Sequence, residues 1–163
     1  MRYVLLSFAL VACGPSGSFS VQQRSYNADQ ISAVRVASPP AGKTGVDIVL
    51  KSDPVASAVD DEVLARVTLL WDEGKAPPVG RDIALSEGVV VAVGRIGCFC
   101  GGKDGAFAEP VASGKVRFHV IDDKTVRGDF DLSFKGQVAL TSGGILYDDD
   151  TLKVRAANFE MKR

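Results

Sequence analysis

Hydrophobic and polar positions alternate with a period of two along most of this chain. The cleanest stretch runs from Ser113 to Lys135. Val116, Phe118 and Val120 alternate there with Lys115, Arg117 and His119. Beyond Asp122-Asp123-Lys124, Val126, Phe130, Leu132 and Phe134 alternate with Arg127, Asp129, Asp131 and Ser133. Alternation on both sides of a short acidic turn predicts a β-hairpin with one buried and one wet face. Gly128 falls in register with the apolar set, where a missing side chain marks a bulge or a close backbone approach.

The same pattern, read from the start, predicts further strands. Phe19 and Val21 alternate with serines and a glutamine, and Asn27-Ala28-Asp29 turns the chain. Ile31 to Ala37 is a second strand that Pro39-Pro40 stops, because proline cannot continue a ladder. Val46, Ile48 and Leu50 begin a third. Asp53 to Trp71 supports two readings. Asp53 as N-cap, Pro54 at the first helical position and apolar residues at helical spacing suit a helix. Val63, Ala65, Val67, Leu69 and Trp71 suit a strand. The acidic Asp60-Asp61-Glu62 separates the two halves, so the preferred reading is a short helix over Pro54–Val59 followed by a strand to Trp71. A single long helix is the alternative.

Arg81 to Leu85 reads as a short strand. Val89 to Ile96 is apolar on both faces up to Arg95, which predicts a central strand covered on both sides. Gly101 to Gly105 reads as a loop. Gln137 to Leu140 extends the hairpin or starts another strand, and Ser142-Gly143-Gly144 ends it. The last strand, Leu152 to Met161, changes phase between Ala156 and Ala157, as a bulge would require. The sum is about nine strands at the spacing of an all-β antiparallel sandwich, with one short helix.

Composition narrows the function classes. Of 163 residues, 46% are hydrophobic and 24% charged, which suits one folded domain. Nineteen lysines and arginines against 20 acids leave a net charge of −1, so a nucleic-acid partner is not expected. No apolar run reaches the roughly 18 residues of a spanning helix. The single histidine, His119, leaves little material for a His-dependent triad or a multi-histidine metal site. His119 is expected at the surface or hydrogen-bonded to Asp129 or Asp131. Asp122-Asp123 and Asp148-Asp149-Asp150 lack the spacing of a calcium loop. The glycine-rich turns precede strands rather than a helix, so they do not form a phosphate cradle. No catalytic residue and no cofactor is expected, and the chain is not read as an enzyme.

Residues 1–12, MRYVLLSFALVA, have the charged start and short apolar run of a secretory signal. Leu10-Val11-Ala12-Cys13 is similar to the lipobox of bacterial lipoproteins. The motif S-G-x-V-x-F, turn, V-x-G-x-F around Ser113 to Phe130 resembles a hairpin near the C-terminus of small outer-membrane lipoproteins. The resemblance implies removal of residues 1–12 and lipidation of Cys13. Several acyl chains, palmitate among them, would then hold the protein to the membrane. Gly14 after the cysteine implies the outer membrane. Residues 13–18 would be a tether and 19–163 one domain, with an envelope protein as a possible partner.

Once Cys13 is lipidated, Cys98 and Cys100 remain. They flank Phe99 and could form a strained disulfide or stay as two buried thiols. A thiol-redox or copper(I)-handling role is the alternative to a binding or structural one.

Overall fold

The computed structural model describes residues 14–21, 24–53, 63–98, 103–140 and 145–162. Within them are ten strands and one 3-10 turn. The strands are β1 (Ser16–Val21), β2 (Arg24–Asn27), β3 (Gln30–Arg35), β4 (Lys43–Ser52) and β5 (Val63–Asp72), then β6 (Asp82–Ala84) and β7 (Val91–Cys98). Three long ones follow: β8 (Lys103–Ile121), β9 (Thr125–Leu140) and β10 (Ile145–Lys162). All pair antiparallel, in two sheets of six and four strands, as an all-β sandwich. The hydrogen-bonded order is continuous, β2-β1-β10-β9-β8-β7-β5-β4-β3 with β6 on the far edge of β8; β2-β1-β10-β9-β8 and β6 make the larger layer and β7-β5-β4-β3 the smaller.

The two sheets part along β8. Its start, Lys103–Ala106, pairs with Arg95–Cys98 of β7, while Lys115–Arg117 further on pairs with β6. Between those points the layers separate and face each other across the core. Alternation supplies that core: Ala65, Val67 and Leu69 of β5 and Val116 and Phe118 of β8 are fully buried. Trp71 meets Phe118 edge-on, ring centres 5.6 Å apart. The Phe134 ring lies against bare Gly94, where a Cβ would come within 2.7 Å of it.

The hairpin lies where alternation puts it, with Phe118, Phe130 and Phe134 buried and Arg127 and Asp131 exposed, except that Val120, expected on the buried face, lies opposite exposed Arg127 because the extra residue His119 shifts the phase. Its turn is tied by Asp122, whose carboxylate accepts the amides of Lys124 and Thr125, both at 2.8 Å. Gly128 has both of its predicted features. A Cβ there would stand 2.4 Å from the Arg117 carbonyl oxygen, and register shifts flank it on both neighbours, at Phe118/Val120 of β8 and Ala156/Phe159 of β10. The second is the bulge that the phase change in the last strand required.

Some expectations change. The strand count is ten among the described residues, one above the number read from the alternation. Val63 to Trp71 is strand β5, as the preferred reading has it and not part of one long helix, paired on both sides by β4 and β7. The Pro54–Val59 helix lies outside the described residues. β7 is central but not covered twice: Val91 is 46% exposed and Arg95 is exposed, while Ala92 and Ile96 are buried. Apolar residues on both faces marked a thinly covered outer face here, not a second core. Lys103 to Gly105, read as loop, opens β8, and β10, read as starting at Leu152, begins already at Ile145. Backbone pairing holds these stretches extended, Lys103 to Gly105 against β7 and Ile145 to Thr151 against β9. β1 starts at Ser16, within the stretch read as tether, and Gly17 packs against Leu50 and Ile31.

Candidate functional site

The outer face of the six-stranded sheet is a charged platform, and strand register sets its pattern. One row across the sheet places Asn27, Ser18, Arg155, Asp131 and Lys115 side by side. The next row places Asp129 opposite Arg117 and Arg117 opposite Asp82. Opposite charges at directly facing positions attract across about 4.5–5.5 Å, so every acid here has a base within reach.

Competition decides which pairs form. Asp82, on the short edge strand β6, takes both bases of β8: Lys115 Nζ lies 2.7 Å from Oδ2 and Arg117 Nε 2.6 Å from Oδ1. The hydrogen bond from Lys115, then that from Arg117, holds the Asp82 carboxyl below the ordinary carboxylate range. Asp129 is engaged elsewhere. Its Oδ2 lies 2.8 Å from His119 Nε2 and its Oδ1 accepts the Asn158 amide at 2.8 Å. His119 is the extra residue of the β8 bulge and Asn158 sits in the β10 bulge, so one carboxylate ties two ladder irregularities together.

Asp131 is left over. It stands between Lys115 and Arg155 in register, yet Lys115 has turned to Asp82. Among the described residues neither Asp131 nor Arg155 joins a salt bridge. Two hollows meet at these side chains. One, of about 280 Å³, is lined by Asp82, Lys115, Arg117 and Asp129 together with Asp131 and Arg155. The other, of about 250 Å³, adds Ser18, Ser20, Ser25, Asn27 and Lys153 to the same Asp131 and Arg155. The result is a polar trough across β8, β9, β10, β1 and β2, with an unpaired acid and an unpaired base at its centre. Such a surface can hold a small molecule that carries both charges and hydroxyl or amide groups.

Of the residues singled out from sequence, His119 meets Asp129, one of its two expected partners, at the rim of this trough. Cys13 lies outside the described residues. Cys98 ends β7 in register with Lys103, while Phe99 and Cys100 lie outside, so the pair is not brought into view. Asp122 is occupied by turn amides and Asp148–Asp150 belong to β10. No group of three or more His, Cys, Asp or Glu that could hold a metal ion occurs among the described residues. No described helix is long and apolar enough to cross a membrane. Asp82, Lys153 and Arg155 carry no motif. Alternation could have put Lys153 and Arg155 on the wet face, but nothing local reveals that β6 docks on β8.

Comparison with models of known families, with curated proteins and with solved structures finds no match to this chain.

Proposed function

We propose that the chain is a lipid-anchored binding module of the bacterial cell envelope, held to the outer membrane through Cys13, and that it binds a small zwitterionic molecule in the trough. The anchor rests on the sequence Leu10-Val11-Ala12-Cys13. The binding reading rests on one observation: Asp131 and Arg155 face each other in register, are shared by both hollows, and are joined to no other charge among the described residues. Arg155 suits a carboxylate, to which a guanidinium donates two parallel hydrogen bonds. Asp131 suits an ammonium group. Ser18, Ser20 and Asn27 offer neutral donors and acceptors beside them. Charges already fixed by Asp82 and Asp129 make the walls rigid, which lowers the ordering cost of binding. The role is recognition rather than catalysis. The thiol-redox or copper alternative rests on Cys98 and Cys100 in the sequence alone.

The test is saturation-transfer NMR of the full chain with dialanine as the probe. Transfer to the peptide is expected with the wild type and is lost with Asp131→Asn and with Arg155→Gln. Both variants sit on the wet face and keep the fold. No transfer with the wild type, or equal transfer with all three proteins, would remove the trough as a zwitterion site.

A further inference from the structure

Charges that face each other across the described ladders follow one rule with one exception. Lys43 faces Asp72, Arg117 faces Asp82 and Asp129, Lys115 and Arg155 face Asp131, and Arg127 faces Glu160. Arg66 of β5 faces Arg95 of β7. Both arginines are exposed, on the outer face of the four-stranded sheet and away from the trough. Like charges in direct register repel from about 4.5–5.5 Å, a cost that every other facing charged pair among the described residues avoids.

The immediate neighbours of the pair are mostly apolar. Val49 flanks Arg66 on β4, Leu64 lies beside it on β5, and Val93 and Gly97 neighbour Arg95 on β7. Two acids stand diagonal to the pair: Asp47, which accepts the hydroxyl hydrogen of buried Thr68, and Asp104 of β8, which faces Gly97. Among the described residues neither arginine side chain has an ion-pair or hydrogen-bond partner. An anion placed between the guanidiniums is attracted by both charges at once. A tetrahedral oxyanion has enough oxygens to accept paired hydrogen bonds from both forks at once, and it converts the repulsion into a bridge.

We propose that Arg66 and Arg95 together bind a phosphate group. Its source is either free inorganic phosphate or the phosphodiester of a lipid headgroup, and the two are separable in one experiment. Isothermal titration of the full chain in non-ionic detergent, at constant ionic strength, uses inorganic phosphate in one arm. The other arm uses glycerophosphoglycerol, a soluble headgroup phosphodiester. The wild type is expected to bind at least one of them, with Arg66→Gln and Arg95→Gln each weakening it on the order of tenfold or more. Tighter binding of inorganic phosphate assigns a free-phosphate site, and tighter binding of the diester assigns a headgroup site. Each variant should also melt at or above the wild-type temperature in phosphate-free buffer, because the repulsion is gone. Absence of binding to either anion up to about 10 mM, binding that survives both substitutions, or variants that melt below the wild type would each overturn the proposal.

Discussion

The backbone amide of Asn158 donates to the side chain of Asp129 at 2.8 Å, across from one strand of the hairpin to the last strand of the chain. Asn158 is there in a left-handed conformation, with φ at +54°, the only non-glycine residue of positive φ among those described. A bulge that breaks the β10 ladder leaves this amide without its strand partner, and the carboxylate replaces it. The other oxygen of the same carboxylate holds His119, the extra residue of the neighbouring bulge. Two irregularities on either side of β9 are thus stabilised by one side chain that β9 carries between them.

Asp129→Ala should therefore destabilise the fold by about 1–3 kcal/mol, since it strands a half-buried amide. Asn158→Gly should stay within about 0.5 kcal/mol, because glycine accepts the left-handed conformation. Asn158→Val, β-branched at positive φ, should cost about 1–2 kcal/mol. Urea melts followed by far-ultraviolet circular dichroism check all three. Equal losses for the glycine and valine variants would mean that backbone strain plays no part here.

Asp82 makes stability depend on pH in a defined direction. Its carboxyl is held below 3.8 by the hydrogen bonds from Lys115 and Arg117, so the folded state binds its proton less readily than the unfolded chain does. A depressed carboxylate contributes stability that is fully present above the ordinary value and lost as pH falls through the lowered one. The wild type should thus melt above Asp82→Asn at pH 7, and the gap should close only below about pH 3.8. Added salt should shrink the gap, because the pairs are solvent-exposed. Melting curves from pH 2 upward at two salt concentrations provide the check. A gap constant across that range would rule out ionisation as its source.

Truncating the core should separate inside from outside cleanly. Phe130 is 3% exposed and packs at 5.7 Å from the Phe159 ring, while Arg127, three residues earlier on β9, is exposed. Phe130→Ala should cost about 3–5 kcal/mol. Arg127→Ala should change stability by no more than about 0.5 kcal/mol. Guanidinium melts of both variants measure this. Similar losses at the two sites would contradict the register of the hairpin.

The anchor has its own test in cells. With Cys13 as the lipidation site, a clickable palmitate analogue should label the wild-type chain and leave Cys13→Ser unlabelled and accumulated as the longer precursor. Labelling of the serine variant at wild-type strength would remove the anchor from the account.

Alternation was enough to place the β8–β9 hairpin, the buried set Val116, Phe118, Val126, Phe130, Leu132 and Phe134, and the bulge in the last strand. A period of two records which face a residue presents, and that is a local property of an extended chain. The acidic turn was legible too, since Asp122 caps amides only two and three residues away. The extended course of Lys103 to Gly105 and Ile145 to Thr151 was not. Those stretches are strands because the facing strands β7 and β9 supply hydrogen-bond partners, whatever their own pattern. The exposed outer face of β7 escaped for the opposite reason: Val91 and Val93 follow the pattern of a doubly covered strand, and only the arrangement of layers leaves them thinly covered. The charge relationships lie further still from the sequence. Asp131 has a free carboxylate because Asp82, some fifty residues earlier, docks beside β8 and draws Lys115 away. Arg66 and Arg95 repel because β5 and β7 pair in one register and not in another two residues along. Which side faces water is set by each residue and its neighbours in the chain, but which charges meet is set by strand order and register, and those exist only once the sheets have formed.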